Sequence, residues 1–578
     1  MTGTRFAESS QTEFKDLSVP RQSTYDASIA PFISTSKESS SFCYIERIPP
    51  EILAKIFLLA NGQQGITIHD DPNRASDAPM IFSSVDRLWQ QIATETPQLW
   101  TYIHISHRRP NFLLQTLAHI ERSGDLPLDI TIWWRPSDEP LNKFRGKRAD
   151  KASTALFHKT VKTWSGVIEE QLQALLRYTG RWRSFQLMLD SLELMHTHLT
   201  WLVPVSAPGL THLSLVYENI VNHMEETHLY EPVGPLFTGG SPLAISTVMV
   251  HGVSVKLLPH PCRHLRSLHL GQSEDCPVYS PPLPELLDFI NGSSLRDLQF
   301  TQILCEGEFT PNSDVWPHEV VRLPSLEKLH IQDDFTFWVT TFLARTHIPN
   351  LRILELRLEK VYESYDEFVD TMVRPYPDLQ RSMLRSVQAL QITNLPYERD
   401  LYLDSQSSDI PIYHELDNLS VIMVDCSSGR CCYDAFPERL LRFTCFPSQL
   451  DFPPDHHPRI PLPRLRTVVL RNPNIREVKN LVTARKAAGV PIRRLFLQMS
   501  RSKSSVRGKR YMALDPADVL WFSQNLETFV ELSSEEDEDY REFSLVSPPA
   551  DITLERLLEA DSAAERVVVS FMDVFTKS

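Results

Sequence analysis

LPSLEKLHI (Leu323–Ile331) and IPNLRILEL (Ile348–Leu356) follow one pattern: a proline near the front, then apolar-x-x-apolar-x-apolar. The last four residues alternate with the two-residue period of a strand, and the proline sets a rigid turn before it. APGLTHLSL (Ala207–Leu215) and LPRLRTVVL (Leu462–Leu470) repeat the arrangement almost unchanged. The same spacing recurs from Trp182, Ile245, Leu265, Leu295, Val387, Leu419, Leu440 and Ile492. Any one such match could be an ordinary amphipathic strand or helix. A dozen of them, about 20 to 36 residues apart, have the period of a leucine-rich solenoid with insertions. No single repeat can bury its own apolar edge, so the array depends on stacking.

The expected fold is therefore an α/β repeat solenoid, a leucine-rich-repeat horseshoe with parallel strands on the concave face and helices or loops on the convex face. Return helices are expected over 284–290, 338–345, 365–373 and 475–488. Upstream, Phe112, Leu113, Thr116, Leu117 and Ile120 fall at helical spacing until Gly124 stops the run. LPLDITIWW (Leu126–Trp134) then alternates as a strand, and a second helix is expected over 156–178. Residues 516–530 read as one further helix.

Composition narrows the function. The chain has 578 residues, with 42 Pro against 18 Gly, which fits many rigid inter-element turns. A formal charge of −15 argues against general nucleic-acid binding, which needs a cationic surface. The eight cysteines show no C-x-x-C pair, so free thiols are expected. Neither a secretory h-region nor a long uncharged apolar run is present, so a cytoplasmic or nuclear protein without membrane insertion is expected. The sequence contains no phosphate-loop, dinucleotide, nucleophile-elbow or zincin motif. His260, Cys262, His264 and His269 cluster, but repeat spacing places His264 and His269 on a strand, where surface or packing roles outweigh metal ligation. No enzyme activity, cofactor or metal is expected.

Before the repeats stand RIPPEILAKIFLLA (Arg47–Ala60) and APMIFSSVDRLWQQIATETPQLWTYIHI (Ala78–Ile105). Pro49, Pro50 and Glu51 suit a helix start, and Ile52, Leu53, Ile56, Phe57, Leu59 and Ala60 form a wide apolar stripe. A second helix is expected with Ile81, Val85, Leu88, Trp89 and Ile92 on one face. Thr96-Pro97 would cap a short third turn carrying Trp100, whose expected role is packing. Read from these residues alone, the helices are an amphipathic cap on a larger domain.

Together the segments resemble the F-box-like motif abundant in mushroom-forming fungi. Ile48 stands where that family usually has Leu, Asp86 where it has Cys, and Leu88 where it has a basic residue. The resemblance implies a substrate-recognition subunit of an SCF-type (cullin-RING) ubiquitin ligase, docked on a Skp-family adaptor and through it a cullin. It implies that Ile48, Pro49, Ile52, Leu53, Ile56, Phe57, Val85 and Trp89 contact the adaptor or support that contact. The unknown protein target would lie on the concave strands, among Arg266, His269, Arg296, Gln299, Lys328, His330, Arg352 and Glu355. Their basic bias would suit an acidic or phosphorylated segment. The alternative is a non-catalytic repeat scaffold outside any ligase. The expected layout is a disordered tail at 1–43, F-box-like helices at 44–105, and linking helices with a first solenoid unit at 106–180, interrupted by a polar insertion near 136–153. The solenoid follows at 181–530, then an acidic segment at 531–545 and a cap or tail at 546–578.

Overall fold

The computed structural model describes residues 47–61, 72–106, 112–134, 165–217, 234–240, 244–258, 264–272, 283–303, 320–332, 336–358, 365–393, 412, 415–425, 462–471, 473–498, 514–532 and 553–562. The chain divides into two compact units, residues 1–53 and residues 54–578. In the first, the described part is the entry into helix α1 (Pro50–Ala60), where the Pro49 carbonyl accepts from the backbone N–H of Ile52 and Leu53.

The second unit is organised by one parallel sheet of fourteen strands. In chain order the strands are β1 (Tyr102–Ser106), β2 (Leu128–Trp134), β3 (Trp182–Leu189), β4 (His212–Tyr217), β5 (Thr247–His251), β6 (Ser267–Gly271), β7 (Asp297–Thr301), β8 (Val321–Arg322), β9 (Lys328–Gln332), β10 (Thr346–His347), β11 (Ile353–Arg357), β12 (Ala389–Thr393), β13 (Val421–Asp425), β14 (Thr467–Arg471), β15 (Arg494–Gln498) and β16 (Thr528–Leu532). All follow in sequence order in the large sheet except β8 and β10, which pair with each other. This is a solenoid-like arrangement in which, among the described residues, helices and irregular segments return the chain between strands.

Two ladders fix the register. Along the core, Leu268, Leu298, Leu329, Leu354, Leu390, Ile422, Val468, Leu495 and Phe529 are successive partners. At the strand entrances, one carbonyl per repeat accepts two N–H groups of the next. Arg296 receives Glu327 and Lys328, Glu327 receives Arg352 and Ile353, and Arg352 receives Gln388 and Ala389. A slip by one residue would turn every core side chain outward, so register is strongly specified.

Helices close the core side. Among them are α4 (Phe112–Arg122), α6 (Leu192–Leu202), α7 (Leu283–Ile290), α8 (Thr336–Ala344), α9 (Tyr365–Val373) and the helix Ile475–Ala487; α5 is residues 165–176. Ser191 caps α6 and Asn474 caps the helix Ile475–Ala487 by accepting backbone N–H groups. Phe300 packs edge-on against Trp338 and Phe342 of α8, tying strand to return helix. Gly252 follows β5 at φ +66°, and a Cβ there would stand 2.5 Å from the Tyr217 carbonyl oxygen, so only glycine fits.

Several expectations change. The helix expected over Ile81–Ile92 is two, α2 (Pro72–Val85) and α3 (Arg87–Thr94), because extended Asp86 starts a new helix by accepting the Trp89 N–H. Helix α2 also begins at Pro72, six residues before the segment read from Ala78. Thr96 does not cap the following turn; its hydroxyl donates to the Ile92 carbonyl. Tyr102–Ser106, grouped with the helices, is the first strand of the sheet. Residues 516–530 split into the helix Pro516–Asn525 and β16. The repeat expected at Leu440 lies outside the described residues, and β13 pairs directly with β14. The tail 1–43 and the acidic stretch from Ser533 also lie outside them.

Candidate functional site

Two surfaces stand out. The first is on the N-terminal helices. Apolar periodicity makes α1 a helix, and within the second unit Phe57 is its buried anchor, stacked on Phe82 at 4.4 Å and tilted against Trp89 at 4.8 Å. Trp100 is fully buried, donates from Nε1 to the Ala93 carbonyl and carries Arg122 over its ring. Its packing role is as expected.

What these helices leave outside is more informative. Of thirteen exposed large hydrophobic residues among those described, seven lie between Ile52 and Leu88: Ile52, Ile56, Leu59, Met80, Ile81, Val85 and Leu88. Single exposed leucines are ordinary; a concentration over three short helices is not. The eight expected adaptor residues therefore separate. Ile52 (44 % exposed), Ile56 (43 %) and Val85 (54 %) present side chains to solvent, Pro49 is exposed, and Ile48 is half-buried. Leu53 and Phe57 are buried, and half-buried Trp89 packs on Phe57. Leu59 and Met80 join the exposed set without having been singled out for contact, although Leu59 was legible as part of the α1 stripe.

The second surface is the sheet face opposite the core. Its middle row runs His269, Gln299, His330, Glu355 in strict register. Arg266, Arg296 and Arg352 are not in that row: each precedes its strand, on the rim where the entrance carbonyls align, and each is exposed. Lys328 belongs to the neighbouring row, between Asp297 and Ile353. Acids answer three of the bases on this face, Lys328, His330 and Arg352. His330 Nδ1 is 2.5 Å from Glu355 Oε2, its Nε2 is 3.3 Å from Gln332, and Arg352 lies 3.7 Å from Glu327. Burial works against both members of the His330–Glu355 pair, but each partner's hydrogen bond and charge outweigh it; His330 is pushed above its ordinary value and Glu355 held below. Burial also raises the Asp297 carboxyl, against the pull of Lys328.

From β11 onward this face turns apolar, and a helix covers it. Residues 554–562 lie across it, with Leu554, Leu557 and Leu558 packed among Ile353, Ala389, Val421, Met423 and Val469 and bordered by Phe496 and Leu532. Lys328 donates to Glu555 at 2.9 Å, and Arg494 pairs with Asp561, which also accepts from Thr467. Burial lifts the Asp561 carboxyl, and Arg494 and Thr467 oppose that lift. The readable signal was a change of composition at equivalent strand positions, from His269, Gln299 and His330 to Met423, Val469 and Phe496.

Of the histidine–cysteine cluster, His260 and Cys262 lie outside the described residues, while His269 contacts Thr301 at 3.4 Å. Among the described residues no group of three or more His, Cys, Asp or Glu could hold a metal ion, and no helix is long and apolar enough to cross a membrane. No protein family's sequence profile matches the chain, and no curated protein matches it.

Proposed function

We propose that the chain is a substrate-recognition subunit of an SCF-type ubiquitin ligase. F-box-like helices α1–α3 dock on a Skp-family adaptor, which joins them to a cullin, and leucine-rich repeats hold a target protein on the open sheet face. The chain itself performs no catalysis; the transfer chemistry belongs to its partners, and it needs no cofactor.

The observation that carries this reading is the exposed apolar set of Ile56, Leu59, Met80, Ile81, Val85 and Leu88, over helices whose own core is already filled by Phe57, Phe82 and Trp89. Apolar side chains held out in water by a rigid scaffold are pre-ordered for a partner, so docking gains the burial without the cost of ordering them. Leu53, Phe57 and Trp89 then act as the support that aims the exposed residues, while Ile48 and Pro49 sit at the entry to α1.

The test is reconstitution: the full chain mixed with purified Skp-family adaptor and cullin and recovered through a tag on the cullin. Adaptor-dependent recovery of the chain is expected, lost in Ile56→Asp. A folded native chain that is never recovered makes the helices a cap and the protein a repeat scaffold.

A further inference from the structure

The helix 554–562 is an unusual tenant. It has nine residues, too few to be stable by itself in water, so its helicity depends on the surface beneath it. The sheet face it covers is by contrast part of a continuous parallel ladder through β9 and β11–β16 and does not need the helix to form. Twenty residues, 533–552, join β16 to Thr553, ample chain for the helix to leave without disturbing the last strand. Its cover is also incomplete, because Phe496 and Leu532 at the border remain only partly buried.

The fit has a definite chemistry. The helix offers three leucines in an L-x-x-L-L spacing, which one helical face can present together, and an acid toward each end. The sheet offers an apolar floor between two cations, Lys328 at β9 and Arg494 at β15. Glu555 meets the first and Asp561 the second. Any helix with that leucine spacing and acids six residues apart would meet the same floor and the same two charges.

We infer that the helix-covered sheet face between Lys328 and Arg494 is a docking site for an acidic amphipathic helix of a partner protein, and that residues 554–562 are its resident occupant, displaced when the partner binds. This deepens the target-binding half of the proposed function by giving the target's chemistry. It is tested without adaptor or cullin, so its failure and the failure of the ligase reading are separate results.

The probe is a fluorescein-labelled peptide of residues 551–564, DITLERLLEADSAA, titrated into the full chain while polarisation is followed. The native chain, its face filled, should take up the peptide poorly. Leu557→Asp/Leu558→Asp, which evicts the resident helix, should bind it at least tenfold more tightly. Should that variant fail to fold, the milder Leu557→Ala/Leu558→Ala removes the same two anchors and serves the same comparison. Adding Lys328→Glu to either evicting variant should weaken peptide uptake several-fold, and raising salt should weaken it as well. A folded evicting variant that does not bind the peptide, native chain that binds it equally well, or uptake indifferent to Lys328→Glu would each overturn the inference.

Discussion

Replacing Phe57 by Ala should loosen the N-terminal helices and leave the sheet intact. Phe57 is 1 % exposed and touches two rings, Phe82 at 4.4 Å and Trp89 at 4.8 Å. Truncating a buried Phe costs about 3–5 kcal/mol, with aromatic pairing contributing roughly 0.5–1.5 kcal/mol per ring pair within that total. The sheet's ladders do not pass through these helices, so the loss is local, and a single melting temperature for so long a repeat chain would hide it. Hydrogen exchange resolved by segment reads it directly. At about 1.4 kcal/mol per decade, amides of α1–α3 should exchange about a hundredfold faster or more, while β6–β9 keep their protection. Ile56→Ala, one residue away but 43 % exposed, should change exchange less than threefold, since exposed substitutions usually stay within about 0.5 kcal/mol. Equal effects of the two variants, or an unchanged α1–α3 in Phe57→Ala, would refute the division between supporting and presenting residues.

Two further predictions concern titration. His198 of α6 is fully buried beside Trp201, neither ring nitrogen has a hydrogen-bond partner, and burial pulls its pKa down to about 4 from 6.5. The unfolded chain then binds the proton more readily, so stability complete above pH 6.5 falls as pH drops toward 4, by roughly 3 kcal/mol. His198→Leu should abolish that part of the acid loss, seen as urea midpoints at pH 7 and pH 4 that lie closer together than in the native chain; an unchanged gap would count against it. For His330 and Glu355 the sign differs. The raised histidine contributes stability below 6.5 that is lost as pH rises through its folded value, and the lowered glutamate contributes stability above 4.5 that is lost as pH falls. Their coupling is therefore strongest between those values, and Glu355→Gln should move the His330 titration, followed by NMR, to lower pH. No movement would mean the pair is not formed in solution.

The strands were legible because a parallel repeat stack makes the same demand at every turn: three apolar positions, such as Leu326, Leu329 and Ile331, at fixed offsets after a proline. Asp86 was harder to read. An acid within an apolar periodicity passes for an exposed helix position unless its extended backbone is known, although an Asp just before a periodic run is itself a capping signal. The residues proposed to meet an adaptor were legible as a stripe but not by role, because periodicity cannot tell Leu53, which is buried, from Ile52, which is not. The charge pairing on the sheet face opposite the core could not be read along the chain, because Glu327, Glu355 and Glu555, which meet Arg352, His330 and Lys328, arrive from neighbouring strands and from more than two hundred residues away.

On the proposed function, the exposed apolar residues of α1–α3 dock an adaptor. Purified Skp-family adaptor should be titrated calorimetrically into the full native chain and into Ile56→Asp/Val85→Asp, with circular dichroism confirming that both are folded. Placing a carboxylate against an apolar partner should cost several kcal/mol, so the account predicts measurable binding by the native chain and at least a hundredfold weaker binding by the folded variant. Equal affinity for the two chains, or no binding by the native one, would contradict it.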